Sequence, residues 1–310
     1  MFVETSRWFA PSSRWRSIGP LILAAAAWGI GTVISKRAVA EIPPSTLLTV
    51  QLAVSVGALL LLSGPRHALG RVGTWRLGSL GVLNPGIAYA LSLFGLVSIS
   101  ASLSVLLWAV EPLLILGLAR WLLDERVGRR QAVLSLVAIG GMTLVLYEPG
   151  SGGQAVGIAL TLAGVACCAV YTIATRKLLG DEPTLTVVLA QHAAALAFVV
   201  VATVLVALSG GAPDLAGVSS EAWLSALASG LVYYALAYWF YLTGLRRSTA
   251  SFAAMAFYLI PIFGVTAGMA LLGERLEPMQ WLGVAIVLVA LLGVLLRPAP
   301  GPAGGSAADR

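Results

Sequence analysis

Long apolar stretches, each broken after about twenty residues by a few polar, glycine or proline positions, fill most of this 310-residue chain. A helix needs about 20 predominantly apolar residues to cross a bilayer, with roughly 17 to 25 workable. Ten segments fit: 18–39, 46–62, 76–97, 100–123, 130–147, 154–175, 185–208, 222–245, 250–272 and 279–296. The pattern predicts an all-α polytopic membrane protein with ten transmembrane helices. The segments 130–147 and 279–296 are short, which suits upright or slightly inset helices. Connections such as Ser63-Gly64-Pro65, 149–153 and 210–213 carry turn residues and leave no room for a soluble domain. Residues 1–17 form a polar tail with Arg7, Arg14 and Arg16. With the apolar run after it and Ala38-Val39-Ala40, that tail mimics a signal peptide. The run is 18 residues long and Lys36-Arg37 precede the cleavage-like site, so a retained helix is expected. The Pro/Gly/Ala-rich end, 297–310, is expected to be disordered.

The pattern is written twice. Ala101–Arg126 returns 149 residues later as Ala250–Arg275, with Pro112/Pro261, Glu125/Glu274 and Arg126/Arg275 identical. Earlier in each half the offset is 140, pairing Thr32/Thr172, Ser35/Thr175 and Gln51/Gln191. At the offset of 149, Gly81/Gly230, Tyr89/Tyr238 and Gly95/Gly244 also correspond. The halves are thus 18–147 and 154–296, each of five predicted helices. An odd number per half forces the second to run through the membrane upside down relative to the first. In carriers built as inverted repeats, the substrate site lies near the bilayer midplane at the repeat interface. One difference stands out: the first copy has Glu111 before its proline, where the second has Ile260.

Composition narrows the class. With 59% hydrophobic and 10% charged residues, the chain suits a lipid-facing exterior and not the surface of a soluble domain. Its net charge of +6 does not indicate nucleic acid, because the basic residues flank apolar segments and form no basic domain. If the N-terminus is cytoplasmic, sixteen Lys and Arg lie on the cytoplasmic side and only Lys36, Arg37 and Arg275 outside. That asymmetry predicts both termini in the cytoplasm and, in a bacterial-type cell, residence in the inner membrane. Cys167 and Cys168 are adjacent in an apolar run, which suits packing and gives no metal-ligand spacing. No phosphate-binding glycine loop, HExxH or nucleophile elbow stands out, so no cofactor, no metal and no ATP-driven step are expected.

The ten segments in two fives, Trp28-Gly29 in the first of them, Pro112 with Asp124-Glu125-Arg126, and Pro261 with Gly273-Glu274-Arg275 resemble the EamA-type carriers of the drug/metabolite transporter superfamily. The resemblance covers about 18–296, and within the superfamily the chain is most similar to YddG-type exporters of aromatic and other neutral amino acids. It implies alternating access to a small molecule, without enzymatic turnover. Multidrug or nucleotide-sugar-like specificity is the rival within transport, and an intramembrane enzyme the remote rival outside it. Glu111 departs from many relatives.

Helical spacing places Trp28, Thr32 and Ser35 on one stripe, and Cys168, Thr172 and Thr175 on its counterpart. Pro85, Tyr89 and Ser92 form another, matched by Tyr234, Tyr238 and Tyr241, while Ser104, Trp108 and Glu111 share a face. Such faces either line a shared interior or glue helices together. The candidate substrate-binding residues are Trp28, Thr32, Asn84, Tyr89, Trp108, Glu111, Tyr171, His192, Tyr234 and Tyr238, with Pro112 and Pro261 as gating positions. A carboxylate at bilayer depth costs several kcal/mol. Glu111 therefore binds a substrate ammonium, exchanges a proton, or satisfies the Trp108 carbonyl that Pro112 leaves without a donor. On the first two readings, Glu111→Gln reduces transport and alters its pH dependence while expression holds. Asn84-Pro85-Gly86 is a helix break able to expose backbone to a ligand. His192 suits packing as well as proton transfer. Of the six aromatics at 233–234 and 238–241, at least two must face away from any cavity. The Glu125-Arg126 and Glu274-Arg275 pairs suit local ion pairing or symmetric anchoring. The short, polar-poor segments 130–147 and 279–296 are candidate faces for a homodimer.

Overall fold

The computed structural model describes residues 11–63, 72–99, 107–108, 110–125, 127–145, 155–211, 214–272 and 277–295. Every regular element among them is helical. We number the helical segments in chain order. α1 is Pro11–Val39 and α2 is Pro44–Ser63. α3 runs as Val72–Gly81, a π-helical turn Val82–Ile87, and Ala88–Ser98. α4 is Glu111–Leu122, α5 Arg129–Val145, α6 Ala155–Leu178 and α7 Thr184–Val206. α8 joins Ser220–Ser229, a π-helical turn Gly230–Leu236, and Ala237–Arg246. α9 joins Ala250–Met255, a 3-10 turn Ala256–Leu259, and Ile260–Leu272, and α10 is Pro278–Leu295.

Among the described residues, α1, α2, α3, α6, α7, α8 and α9 are long and apolar enough to cross a membrane. The expected segment 100–123 falls partly outside the described residues, at 100–106 and 109. Its described helix is 12 residues long and starts at Glu111, with Pro112 next. Leu107 and Trp108 are also helical, and Pro112 lies in the first turn of the stretch from Glu111, where its missing N–H costs little. Pro261 lies near the middle of α9, just after the 3-10 turn Ala256–Leu259.

Packing crosses between the halves. α1 lies against α8 and α9, while α6 lies against α3 and α4. α2 packs on α7 and α8, α3 also packs on α7, and α5 pairs with α10. Two glycines make the crossings of α3 and α8 possible. A Cβ on Gly81 would sit 1.8 Å from the Gln191 carbonyl oxygen, and one on Gly230 would sit 2.8 Å from that of Gln51. Small residues let membrane helices approach closely where no hydrophobic effect drives them together. The two crossings involve the same repeat-related pair of positions.

The ends are tied by polar contacts. Asp124 adopts φ 51 just past α4, where Gly273 stands in the other copy. The left-handed turn suits Asp better than most residues. Beyond it, Glu125 accepts hydrogen bonds from Ala250 N (2.9 Å), Ser251 N (3.1 Å) and Ser251 Oγ (2.7 Å). Thr249 Oγ1 accepts from Phe252 N, so the free N–H groups of the α9 start are capped by two residues. Glu125 thus makes a contact between the halves, because a helix start offers a carboxylate both N–H donors and a favourable dipole; Arg126, Glu274 and Arg275 lie outside the described residues. We expect Glu125→Gln to cost about 1–2 kcal/mol and to raise hydrogen exchange at the α9 start, a measurable fraying.

At the opposite end of the bundle, Arg37 donates to Glu221 Oε1 at 3.0 Å and to the Leu271 carbonyl at 3.1 Å. Glu41 accepts from Ser219 N and Oγ, and those hydrogen bonds hold its carboxyl below the usual carboxylate range. These groups are exposed, so Arg37→Ala should change stability by less than about 1 kcal/mol. A larger loss in detergent unfolding would contradict this.

Candidate functional site

Where α1, α3, α4, α6, α8 and α9 meet, their inward stripes leave a cavity of about 1090 Å³ of empty space, its open end included. The wall is mostly aromatic. The Trp28 ring lies 5.5 Å from Tyr238, 5.4 Å from Tyr241 and 5.5 Å from Phe257, centroid to centroid. Tyr89 stands 5.8 Å from Trp108, 5.4 Å from Tyr233 and 5.6 Å from Tyr234. Edge and tilted contacts at these distances add to what burial of the rings contributes.

The cavity is closed at one end. Tyr241, Phe257 and Trp28 are buried together, and Thr172 Oγ1 meets the Tyr241 hydroxyl at 3.0 Å. The half-buried wall residues Ser35, Leu93, Leu96 and Trp108 lie toward the other end, where α1 and α3 finish. Among the described residues, the wall is therefore more exposed on the side of Val39 and Ser98 and buried on the side where Glu125 caps α9.

Hydrogen bonds hold the wall in shape. The break at Asn84 takes extended backbone (φ −149, ψ 121) with a cis bond to Pro85. This turns the Asn84 side chain to accept from the Tyr238 hydroxyl at 2.9 Å. The Tyr171 hydroxyl donates to Gln191 Oε1 at 2.8 Å. Gln51 Nε2 donates to Ser35 Oγ and Ser229 Oγ, and Gln191 Nε2 to Thr175 Oγ1. Both glutamines thus serve repeat-related hydroxyls at 35 and 175.

Some polar groups on the wall have no partner among the described residues. Trp28 Nε1, Gln51 Oε1 and Ser92 Oγ are buried without a hydrogen bond. Buried polar atoms normally find partners, and each of these three belongs to a residue that borders the cavity. Glu111 is only 7% exposed, borders the cavity, and makes no hydrogen bond or ion pair with a described residue.

Of the ten candidate binding residues, Trp28, Thr32, Asn84, Tyr89, Trp108, Glu111, Tyr171, Tyr234 and Tyr238 border the cavity. His192 stands behind the wall, its ring 4.8 Å from Tyr238, with Nδ1 2.7 Å from Ser55 Oγ. Pro261 borders the cavity, whereas Pro112 is buried beside it. Of the aromatics on α8, Trp239 and Phe240 stack on each other away from the wall. Phe257, Leu93 and Leu96 were not anticipated. Apolar residues on an apolar helix give no signal of which face is inward, although Phe257 shares a helical stripe with Ile260 and Pro261.

The chain resembles known transporters. The model of the EamA-like transporter family matches residues 16–147 and 155–296. An uncharacterized transporter from Archaeoglobus fulgidus is 24% identical over 286 residues, covering 89% of this chain and 98% of that one. Protein PecM from Dickeya dadantii is 23% identical over 77% of this chain and 79% of its own length. A solved crystal structure superimposes with a TM-score of 0.74 at 20% identity, covering 91% of this chain and 98% of that one, and shares its fold.

Proposed function

Because the chain belongs to the EamA-like transporter family, we propose that it moves small metabolites by alternating access through the central cavity, as a secondary carrier or facilitator. The observation that carries this reading is a polar-aromatic hollow whose described wall is buried at one end and more exposed at the other. A carrier resting in one of its two access states has that form. The exchange of packing partners between halves, α1 on α8 and α9 against α6 on α3 and α4, supports an inverted pair of five-helix repeats. So do the matching glycine crossings at Gly81 and Gly230. On this reading ten helices span a bacterial-type inner membrane with both termini in the cytoplasm. Rocking or bending at Pro112 and Pro261 then closes the Val39 end and opens the other.

The substrates we assign are neutral and aromatic amino acids, whose flat side chains suit rings spaced as these are. Trp28, Thr32, Asn84, Tyr89, Trp108, Glu111, Tyr171, Tyr234 and Tyr238 form the binding surface, and His192 buttresses it. A nucleotide sugar suits it less well, because no Lys or Arg borders the cavity to meet phosphates.

Two measurements test the reading. Counterflow of labelled amino acids in proteoliposomes is expected, without chemical turnover. In a variant with Cys167 and Cys168 replaced by alanine, Ser35→Cys should react with an impermeant maleimide from the Val39 side, and Thr172→Cys should not. Substrate should change both rates. Rates indifferent to every exchanged amino acid would rule out alternating access.

A further inference from the structure

Among the described residues, the cavity is bordered by one carboxylic acid and by no Lys or Arg, and the rest of the sequence cannot supply either cation. Among all 310 residues, no Lys or Arg occurs between Arg37 and Arg66, Arg76 and Arg120, Lys177 and Arg246, or Arg247 and Arg275. Every Lys and Arg therefore lies at or near the end of an apolar segment, and His192, inside one, stands behind the wall with Nδ1 bonded to Ser55. Glu111 is the only Asp or Glu well inside one. Its carboxyl is buried, borders the cavity and has no described partner, within electrostatic reach of Tyr233 and Tyr241.

From this juxtaposition of an unpaired carboxyl with aromatic faces and no cation, we infer that the site ranks organic ammonium ions above zwitterionic amino acids. The inference rests on the cavity being the transport site and sets the charge class of what it takes. An ammonium ion supplies the missing countercharge to Glu111, and its N–H and C–H groups sit over ring faces that attract cations. A zwitterion brings the same ammonium with a carboxylate. That carboxylate finds only neutral donors, such as Trp28 Nε1, and leaves one negative charge uncompensated in a low-dielectric interior. A neutral analogue leaves Glu111 unpaired. The rings make the flat part of the ligand interchangeable among the three, so charge decides the order.

The test uses three ligands with one phenol ring: tyramine, tyrosine, and the neutral alcohol 2-(4-hydroxyphenyl)ethanol. Binding to the purified full chain is measured by calorimetry, and counterflow of labelled tyramine and tyrosine is measured in proteoliposomes. Tyramine should bind at least about tenfold tighter than either analogue. In Glu111→Gln, shown to be folded by size-exclusion elution, that advantage should vanish, with tyramine falling to the affinity of the neutral alcohol. Tyrosine or the alcohol binding as tightly as tyramine to the natural chain overturns the inference and leaves the transport reading standing. An advantage that survives Glu111→Gln overturns it too. If none of the three binds or is exchanged, the assignment of the cavity as a site for aromatic substrates fails, and this inference fails with it.

Discussion

Trp28→Ala is expected to cost about 3–5 kcal/mol of stability and to abolish counterflow. The indole is 6% exposed and stands among three other rings, so its loss leaves a hole that helices fixed by close glycine contacts cannot fill. The same ring forms part of the seal with Tyr241 and Phe257, so the variant should also lose the barrier at the Ser251 end of the bundle. Trp28→Phe separates the two roles. It keeps an aromatic ring and most of the packing but removes the unpartnered Nε1 donor. It should fold with a loss of about 1–2 kcal/mol and bind carboxylate-bearing substrates more weakly. Unfolding in mixed detergent reads the first quantity and calorimetry the second. A Trp28→Ala protein as stable as the natural one would mean that the rings do not pack as described.

Gly81→Ala should destabilise by about 3 kcal/mol or more, at the upper end of what overpacking costs. The added methyl meets backbone, with the Gln191 oxygen 1.8 Å and its Cα 2.6 Å away, so no side chain can rotate out of the way. α3 must instead move off α7. That shift would carry Asn84 away from Tyr238 and so disturb the cavity as well. Gly230→Ala provides an internal scale. Its nearest contact is 2.8 Å, so the loss should be clearly smaller, although the position is the repeat partner. Equal losses at both positions would show that the crossings are more alike in solution than the distances say.

The sequence made several parts of the site readable because each broke an apolar background. Glu111, Asn84 and the tyrosine stripe on α8 are polar or aromatic groups that lipid disfavours, and nearly all of them border the hollow. His192 carries the same signal yet lies behind the wall, since a hydrogen bond to Ser55 satisfies one nitrogen without a cavity. Polarity in a membrane helix says that a residue avoids lipid; it does not distinguish a cavity from a buried contact. Phe257 shows the reverse limit. A phenylalanine in an apolar helix suits lipid and interior equally, and only the 3-10 turn Ala256–Leu259 and its neighbours aim it at Trp28.

Charge and length along the chain settled, without coordinates, that this is a helical membrane protein and that its apolar segments carry a single Asp or Glu and keep every Lys and Arg to their ends. Those are properties of residue type, and folding cannot alter them. Which stripe faces which required the packed chain. The role of Glu125 is the plainest case, since its partners lie 125 and 126 residues away at the start of another helix. The shape of the hollow is another, because it depends on how far helices separate, a quantity set by side-chain volumes meeting across the bundle and by backbone approaches such as that at Gly81.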